Sequence, residues 1–164
     1  MKSSDKVLIG IVVGIVLLVV VAFAAMLLQP KPEYQSEDTP EGVAHNYLLA
    51  LDQEDYERAY GYLSPTLRYY PDDVEEFTHD VNDNSWRFRL DYDKTITVES
   101  ATITGSLALV EVRESRFYGG DLFDSGQSVS TFEMELRLIN DDWKIHDSYY
   151  YFTSCWTDYS KWCD

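Results

Sequence analysis

Basic side chains are scarce. Lysine and arginine together number 13 against 29 acidic residues, for a formal charge of −16. A nucleic-acid surface needs clustered lysine and arginine, so this balance excludes a nucleic-acid partner. It also disfavours lying flat on an anionic membrane, where acidic faces are repelled. Histidine occurs 3 times and cysteine 2 times. Structural zinc wants four ligands, and no histidine lies between the cysteines, so a zinc site there is disfavoured. There is no Ser-His-Asp order, phosphate loop or HExxH motif, and Gly119-Gly120 is only a turn signal. No metal or cofactor is expected. Internal repeats and low-complexity tracts are also missing.

What is present begins with an apolar run over residues 7–28, VLIGIVVGIVLLVVVAFAAMLL. At about 1.5 Å per residue such a helix is roughly 33 Å long, enough for a hydrocarbon core of about 30 Å. Lys2 and Lys6 precede it and acidic residues follow. The basic end should stay in the cytoplasm as a tail, residues 1–6, and the rest be exported. The rival is a signal peptide cleaved after Ala22-Phe23-Ala24. Cleavage there would leave an apolar stub, so an uncleaved, single-pass anchor in the lipid bilayer is the better reading. No cysteine lies near the run, so a bacterial lipid-anchor site is absent.

Residues 29–38, QPKPEYQSED, read as a stiff linker. Thr39-Pro40-Glu41 is a helix start, with a capping hydroxyl, a proline at the first helical position and an early acid. Val43, Ala44, Tyr47, Leu48 and Leu51 follow at helical spacing. A second helix begins at Asp55 with Tyr56, Ala59, Tyr60 and Leu63 as its stripe. A third opens at Pro71 with Val74, Phe77 and Val81 inward and an acidic, solvated face.

From Trp86 the period changes to two. Trp86, Phe88, Leu90 and Tyr92 alternate with Arg87, Arg89 and Asp91, predicting a strand. Residues 95–104 predict a second, with a bulge near Ser100. Gly105-Ser106 signals a hairpin into 107–117. The three glycines of 118–126 predict a longer loop. Residues 129–139 put Phe132, Met134, Leu136 and Leu138 on one face, and Asn140-Asp141-Asp142 turns into a last strand lined by Trp143, Ile145, Tyr149 and Tyr151. Helices first and antiparallel strands after give an α+β class, with helices covering one sheet face. Trp143, Ile145, Leu136, Leu138 and Val110 should meet the helix stripe.

TPEGVAHNYLLALDQEDYERAYGYLSP resembles the opening of the nuclear-transport-factor-2-like (NTF2-like, cystatin-like cone) superfamily. SATITGSLALVEV is similar to that family's hairpin into a central strand, and NDDWKI to its turn into the last strand. The resemblance covers roughly residues 39–152 and points to the exported, membrane-anchored bacterial type. It implies a cone of about three helices on a curved antiparallel sheet, over residues 39–153. It implies no single activity, because such cones host isomerases, dehydratases and hydrolases as well as binding and spacer modules.

Asp147 shares parity with Trp143, Ile145 and Tyr149, and so should face the interior. A desolvated carboxylate there would have a raised pKa and could act as a general base; a structural carboxylate bonded to a tyrosine or arginine is the plainer alternative. His146 should face out, and His45 and His79 should lie on the surface. Arg87, Arg89, Arg113, Arg116 and Arg137 form either a basic patch for an anionic ligand or cross-strand pairs with Glu111, Glu114, Glu133 and Glu135. The cross-strand reading needs nothing new. Asp80, Asn82, Asn84 and Asp91 follow calcium-loop spacing, but Ser85 stands where glycine is needed, so a capping cluster is favoured.

The C-terminal flap, residues 154–164, holds Cys155 and Cys163. Outside the cytoplasm these should form a disulfide. Tyr150 and Phe152 lack cover on the outer face of the last strand. Trp156, Tyr159 and Trp162, spaced three apart, could fold back as an aromatic lid on them. The alternative is an exposed aromatic surface for a partner or glycan. The leading expectation is a non-catalytic domain outside the cell that binds an envelope protein or small ligand. An enzyme using Asp147 and a pure spacer are the alternatives. A homo-oligomer stays open.

Overall fold

A computed structural model describes residues 3–27, 32–89, 94–121, 124–158 and 163. The chain divides into two compact units, residues 1–33 and 34–164.

The first unit holds helix α1, Ser3–Leu27, of 25 residues. Its described side chains run from Ile9 to Ala24 and are exposed throughout. Among the described residues no helix is long and apolar enough to cross a membrane.

The second unit opens with a clamp. The buried Asn46 amide accepts from the Gln35 N–H (2.7 Å) and donates to its carbonyl (2.9 Å). Glu37 accepts from the Tyr62 hydroxyl at 2.6 Å and from Arg58 at 3.1 Å. Residues 34–38, linker by composition, are thus held against the helices that follow. Helix α2, Pro40–Asp52, starts as the sequence requires: Thr39 accepts from the Gly42 N–H. Helix α3 is Tyr56–Gly61, capped by Asp55, and α4 is Val74–Asp83, capped by Asp73.

Trp86 to Arg89 do not form a strand. Residues Ser85–Phe88 make a short helix, α5, ended by Arg89 in the left-handed region at φ 52°. Two apolar residues alternating with two arginines fit one helical turn as well as a strand. Here Phe88 is buried and Trp86 is 66 % exposed. Leu90, Asp91 and Tyr92 lie outside the described residues.

Four antiparallel strands follow, β1 Lys94–Thr104, β2 Leu107–Asp121, β3 Asp124–Ile139 and β4 Asp142–Ser148, paired in chain order. The β1 ladder shifts register between Val98 and Ser100, where the bulge was expected. Gly105 turns the first hairpin at φ 63°. Within the expected loop over 118–126, residues 118–121 and 124–126 are instead strand: Tyr118 pairs with Gly126 and Gly119 with Ser125; residues 122–123 lie outside the described residues. Ladder hydrogen bonds need only backbone, so glycine does not end a hairpin already in register.

The inner sheet face carries Ala108, Val110 and Val112 of β2, Phe132, Met134 and Leu136 of β3, and Trp143 and Ile145 of β4. They share one core with Tyr47, Leu48, Leu51, Ala59 and Leu63 of the helical layer. Leu138, expected inside, is 36 % exposed at the end of β3. The exit of α3 reaches the edge of β4, where the Ser64 N–H donates to the Ile145 carbonyl and the Ile145 N–H to the Tyr62 carbonyl, both at 2.8 Å.

Candidate functional site

The inner face of β2 continues its even-numbered parity past Val112 to Glu114, which is fully buried. A lone carboxylate there would be costly, and it is not alone. Arg89 Nη1 donates to Glu114 Oε1 at 2.7 Å, Arg116 Nε donates to the same oxygen, and the Tyr151 hydroxyl donates to Oε2 at 2.6 Å. Burial pushes the Glu114 carboxyl up. The hydrogen bonds from Tyr151 and Arg116, with the charges of Arg89 and Arg116, outweigh burial and hold it below the usual carboxylate range. Burial and the same carboxylate push the Tyr151 phenol far up, so it stays a donor.

The backbone is shaped to this cluster. Arg89 and Tyr151 both take positive φ, 52° and 59°. The Tyr151 N–H donates to the Arg87 carbonyl at 3.0 Å, and Tyr47 donates to the Tyr151 carbonyl at 2.6 Å. The Arg89 guanidinium lies 3.0 Å from the centroid of the Tyr150 ring. Lys94 donates to the Arg89 carbonyl at 2.8 Å. No buried side-chain nitrogen or oxygen among the described residues lacks a hydrogen-bond partner.

Beside it lies an aromatic plug. Trp156 sits in a single 3-10 turn, Ser154–Trp156, and is buried. Its ring stacks on Phe77 of α4 at 5.4 Å between centroids and meets Phe88 and Phe152 edge-on. Its indole N–H donates to Asp80 at 2.7 Å. Burial raises the Asp80 carboxyl, partly offset by that hydrogen bond. Cys155 and Cys163 are bonded, S–S 2.05 Å. Trp156 therefore fills the gap between α4 and α5 rather than lying on the outer sheet face, and Phe152, expected outside, is buried beside it. Tyr159 and Trp162 lie outside the described residues.

Asp147 does not enter the interior. Pairing shifts between Glu135 and Leu136: Glu135 faces Asp147 while Leu136 faces Ile145, so His146 is an extra residue on β4. This bulge reverses the parity beyond Ile145. Ser148 turns inward and Asp147 is exposed. Asp147 lines an open cleft of about 380 Å³ with Arg87, Leu109, Glu133, Glu135, Ser148, Tyr149 and Ser154. His146 is half-buried, and burial followed by the charge of Arg137 lowers its pKa.

The arginines meet carboxylates, but not in the expected cross-strand set: the Arg113 pair crosses strands to Glu99, the Arg137 and Arg116 pairs lie within one strand, and Arg89 reaches β2 from the end of α5. Arg113 meets Glu99 at 3.1 Å, Arg137 meets Glu135 at 3.0 Å, and Arg89 and Arg116 meet Glu114. His79 is exposed beside Asp83, while His45 on α2 is half-buried. Of the calcium pattern, Asp80 accepts from Trp156 and Asn84 donates to the Asp80 carbonyl; Asp91 lies outside the described residues. No metal-binding cluster occurs among the described residues.

No protein-family model matches the chain, and no curated protein does. Solved structures are similar to it. A SEC-C motif containing protein from Rhodopseudomonas palustris is 16% identical, with 70% of this chain and 80% of that one covered and a TM-score of 0.49. An NTF2-like family protein from Streptomyces avermitilis is 16% identical, covering 65% and 89%, with a TM-score of 0.45. An NTF2-like protein with a cystatin-like fold from Novosphingobium aromaticivorans is 13% identical, covering 64% and 73%, with a TM-score of 0.43. At these identities and scores no activity passes from those proteins to this one.

Parity along β2 could have found Glu114: it follows Ala108, Val110 and Val112 by even steps. The signal was masked because Glu114 also suits a surface cross-strand pair. Its partners Arg89 and Tyr151 come from segments whose backbones are neither regular helix nor regular strand.

Proposed function

We propose that this chain is a membrane-anchored protein of the cell envelope whose NTF2-like cone is a non-catalytic binding module. The observation that carries this reading is the engagement of the carboxylate buried among the described residues. A catalytic carboxylate needs substrate within hydrogen-bond reach. Glu114, the buried carboxylate of the inner face, is fully enclosed and already accepts from two arginines and a tyrosine. Tyr151 bonds it directly, and Trp156, Phe77 and Phe88 are packed in the same buried core. Asp147, the other carboxylate weighed as a base, points to the opposite face.

The anchor in this reading is the apolar run 7–28, of which residues 7–27 lie on α1. Large apolar side chains such as Leu18 and Phe23 are 72% and 63% exposed on it, which suits a lipid environment. Export of the remainder agrees with the Cys155–Cys163 bond, since disulfides persist outside the cytoplasm.

The test is capture of the tagged full chain from crosslinked membranes. A stoichiometric partner should co-purify, with the same recovery for E114Q. Turnover of an isomerase, dehydratase or hydrolase substrate that E114Q abolishes without unfolding the protein would overturn the non-catalytic reading.

A further inference from the structure

The outer sheet face holds like charges where a sheet normally avoids them. Glu111 lies directly opposite Glu133, and Glu135 directly opposite Asp147. Like charges directly opposed across strands are destabilising. Arg137 relieves Glu135. Glu133 and Asp147 make no ion pair and no side-chain hydrogen bond among the described residues.

These two carboxylates line the 380 Å³ cleft, whose walls are not merely acidic. Leu109 is 38% exposed and Tyr149 is 72% exposed. Arg87 lines the cleft too, and its guanidinium lies 4.7 Å from the centroid of the exposed Trp86 ring. Arg87 thus brings one cation of the chain's own, stacked on an aromatic ring, to the cleft that Glu133 and Asp147 line.

We propose that this cleft is the docking surface for a basic segment of a partner protein. Lysine or arginine heads would meet Glu133 and Asp147, and their aliphatic stems would lie on Leu109 and Tyr149. Charge complementarity selects this occupant. A second copy of the same face would bring like charges together in a chain of net charge −16. An anionic glycan or phospholipid headgroup would be repelled for the same reason. The inference deepens the binding reading above by naming its surface and its partner's chemistry.

The probe is a fluorescein-labelled Lys-Ala-Lys-Ala-Lys-Ala-Lys peptide, titrated by anisotropy against the full chain in neutral detergent at about 0.15 M salt, where the Debye length is about 8 Å. A counterpart with glutamate for lysine is the control. Saturable binding of the lysine peptide alone is expected. E133Q/D147N should weaken it about tenfold, as for the loss of two charge-assisted contacts. That variant should melt no lower than the parent, since it removes opposed charge. D72N/E75Q, which removes the same charge from the exposed start of the α4 region, should change binding less than twofold. Equal weakening by the two double variants would reduce the effect to net charge and overturn the proposal, as would absence of saturable binding. Calcium titrated alone that binds through the same two carboxylates and excludes the peptide would also overturn it. Failure here with intact partner recovery from membranes removes this surface and leaves the binding reading standing.

Discussion

Glu114 is the residue on which the interior turns. Removing its carboxylate by Glu114→Ala strands Arg89 in the core, and breaking a buried pair in this way costs about 3–5 kcal/mol. Urea melts of the two proteins near neutral pH measure the loss. Glu114→Gln keeps the shape and removes the titration. A carboxyl held below its unfolded value contributes stability that is present above the unfolded value, about pH 4.3, and lost as pH falls through the lower folded value. Below about pH 4 the parent should therefore lose stability relative to Glu114→Gln, and the gap between their melts should narrow. A constant gap from pH 6 to pH 3 would mean that Glu114 does not titrate with folding.

At the scale of elements, two short devices decide where side chains point. The bulge at Ser100 is visible in the sequence because apolar parity slips there. The bulge at His146 is not: Trp143, Ile145, Asp147 and Tyr149 alternate without a break. It depends on pairing with β3 and on the bridge from Ser64 to Ile145, which are tertiary facts. Trp143, before the bulge, keeps its expected burial, and Trp143→Ala should cost about 3–5 kcal/mol in urea melts. The C-terminal turn supports a second prediction. Trp156→Ala should cost a similar amount, about 3–5 kcal/mol, because it empties the stack on Phe77 and takes the donor from Asp80. Replacing both Cys155 and Cys163 by serine should cost less, about 2.5 kcal/mol from loop entropy. Thermal melts should place the double serine variant between the parent and Trp156→Ala. Equal losses would show that the disulfide, and not the indole, holds the plug.

At the scale of the whole molecule, charge and the first helix govern behaviour. With a net charge of −16 the folded chain repels itself. Added salt from about 0.05 to 0.5 M should raise the melting temperature as repulsion is screened; a fall would point to ion pairs as the dominant electrostatic effect. If residues 7–28 anchor the protein, N-terminal sequencing of the membrane form should find the start near Met1, and alkaline carbonate should leave the chain in the pellet. A mature chain starting near Ala25 would mean cleavage instead.

Much was decided by local sequence. Thr39-Pro40, Asp55 and Asp73 cap their helices because each side chain reaches an N–H of its own first turn. Gly105 turns a hairpin because it tolerates positive φ. The disulfide pair needs no partner beyond itself. These features rest on interactions within a few residues, so composition and spacing reveal them. The short α5 helix, the bulge at His146, the burial of Glu114 and the seat of Trp156 rest on contacts between distant segments: Arg89 with Glu114, Tyr151 with Glu114, Trp156 with Phe77 and Asp80. Their energy comes from desolvation and packing among elements that meet only when the chain folds. Tertiary structure alone therefore decided that the acid of the interior is Glu114 and that Asp147 faces out.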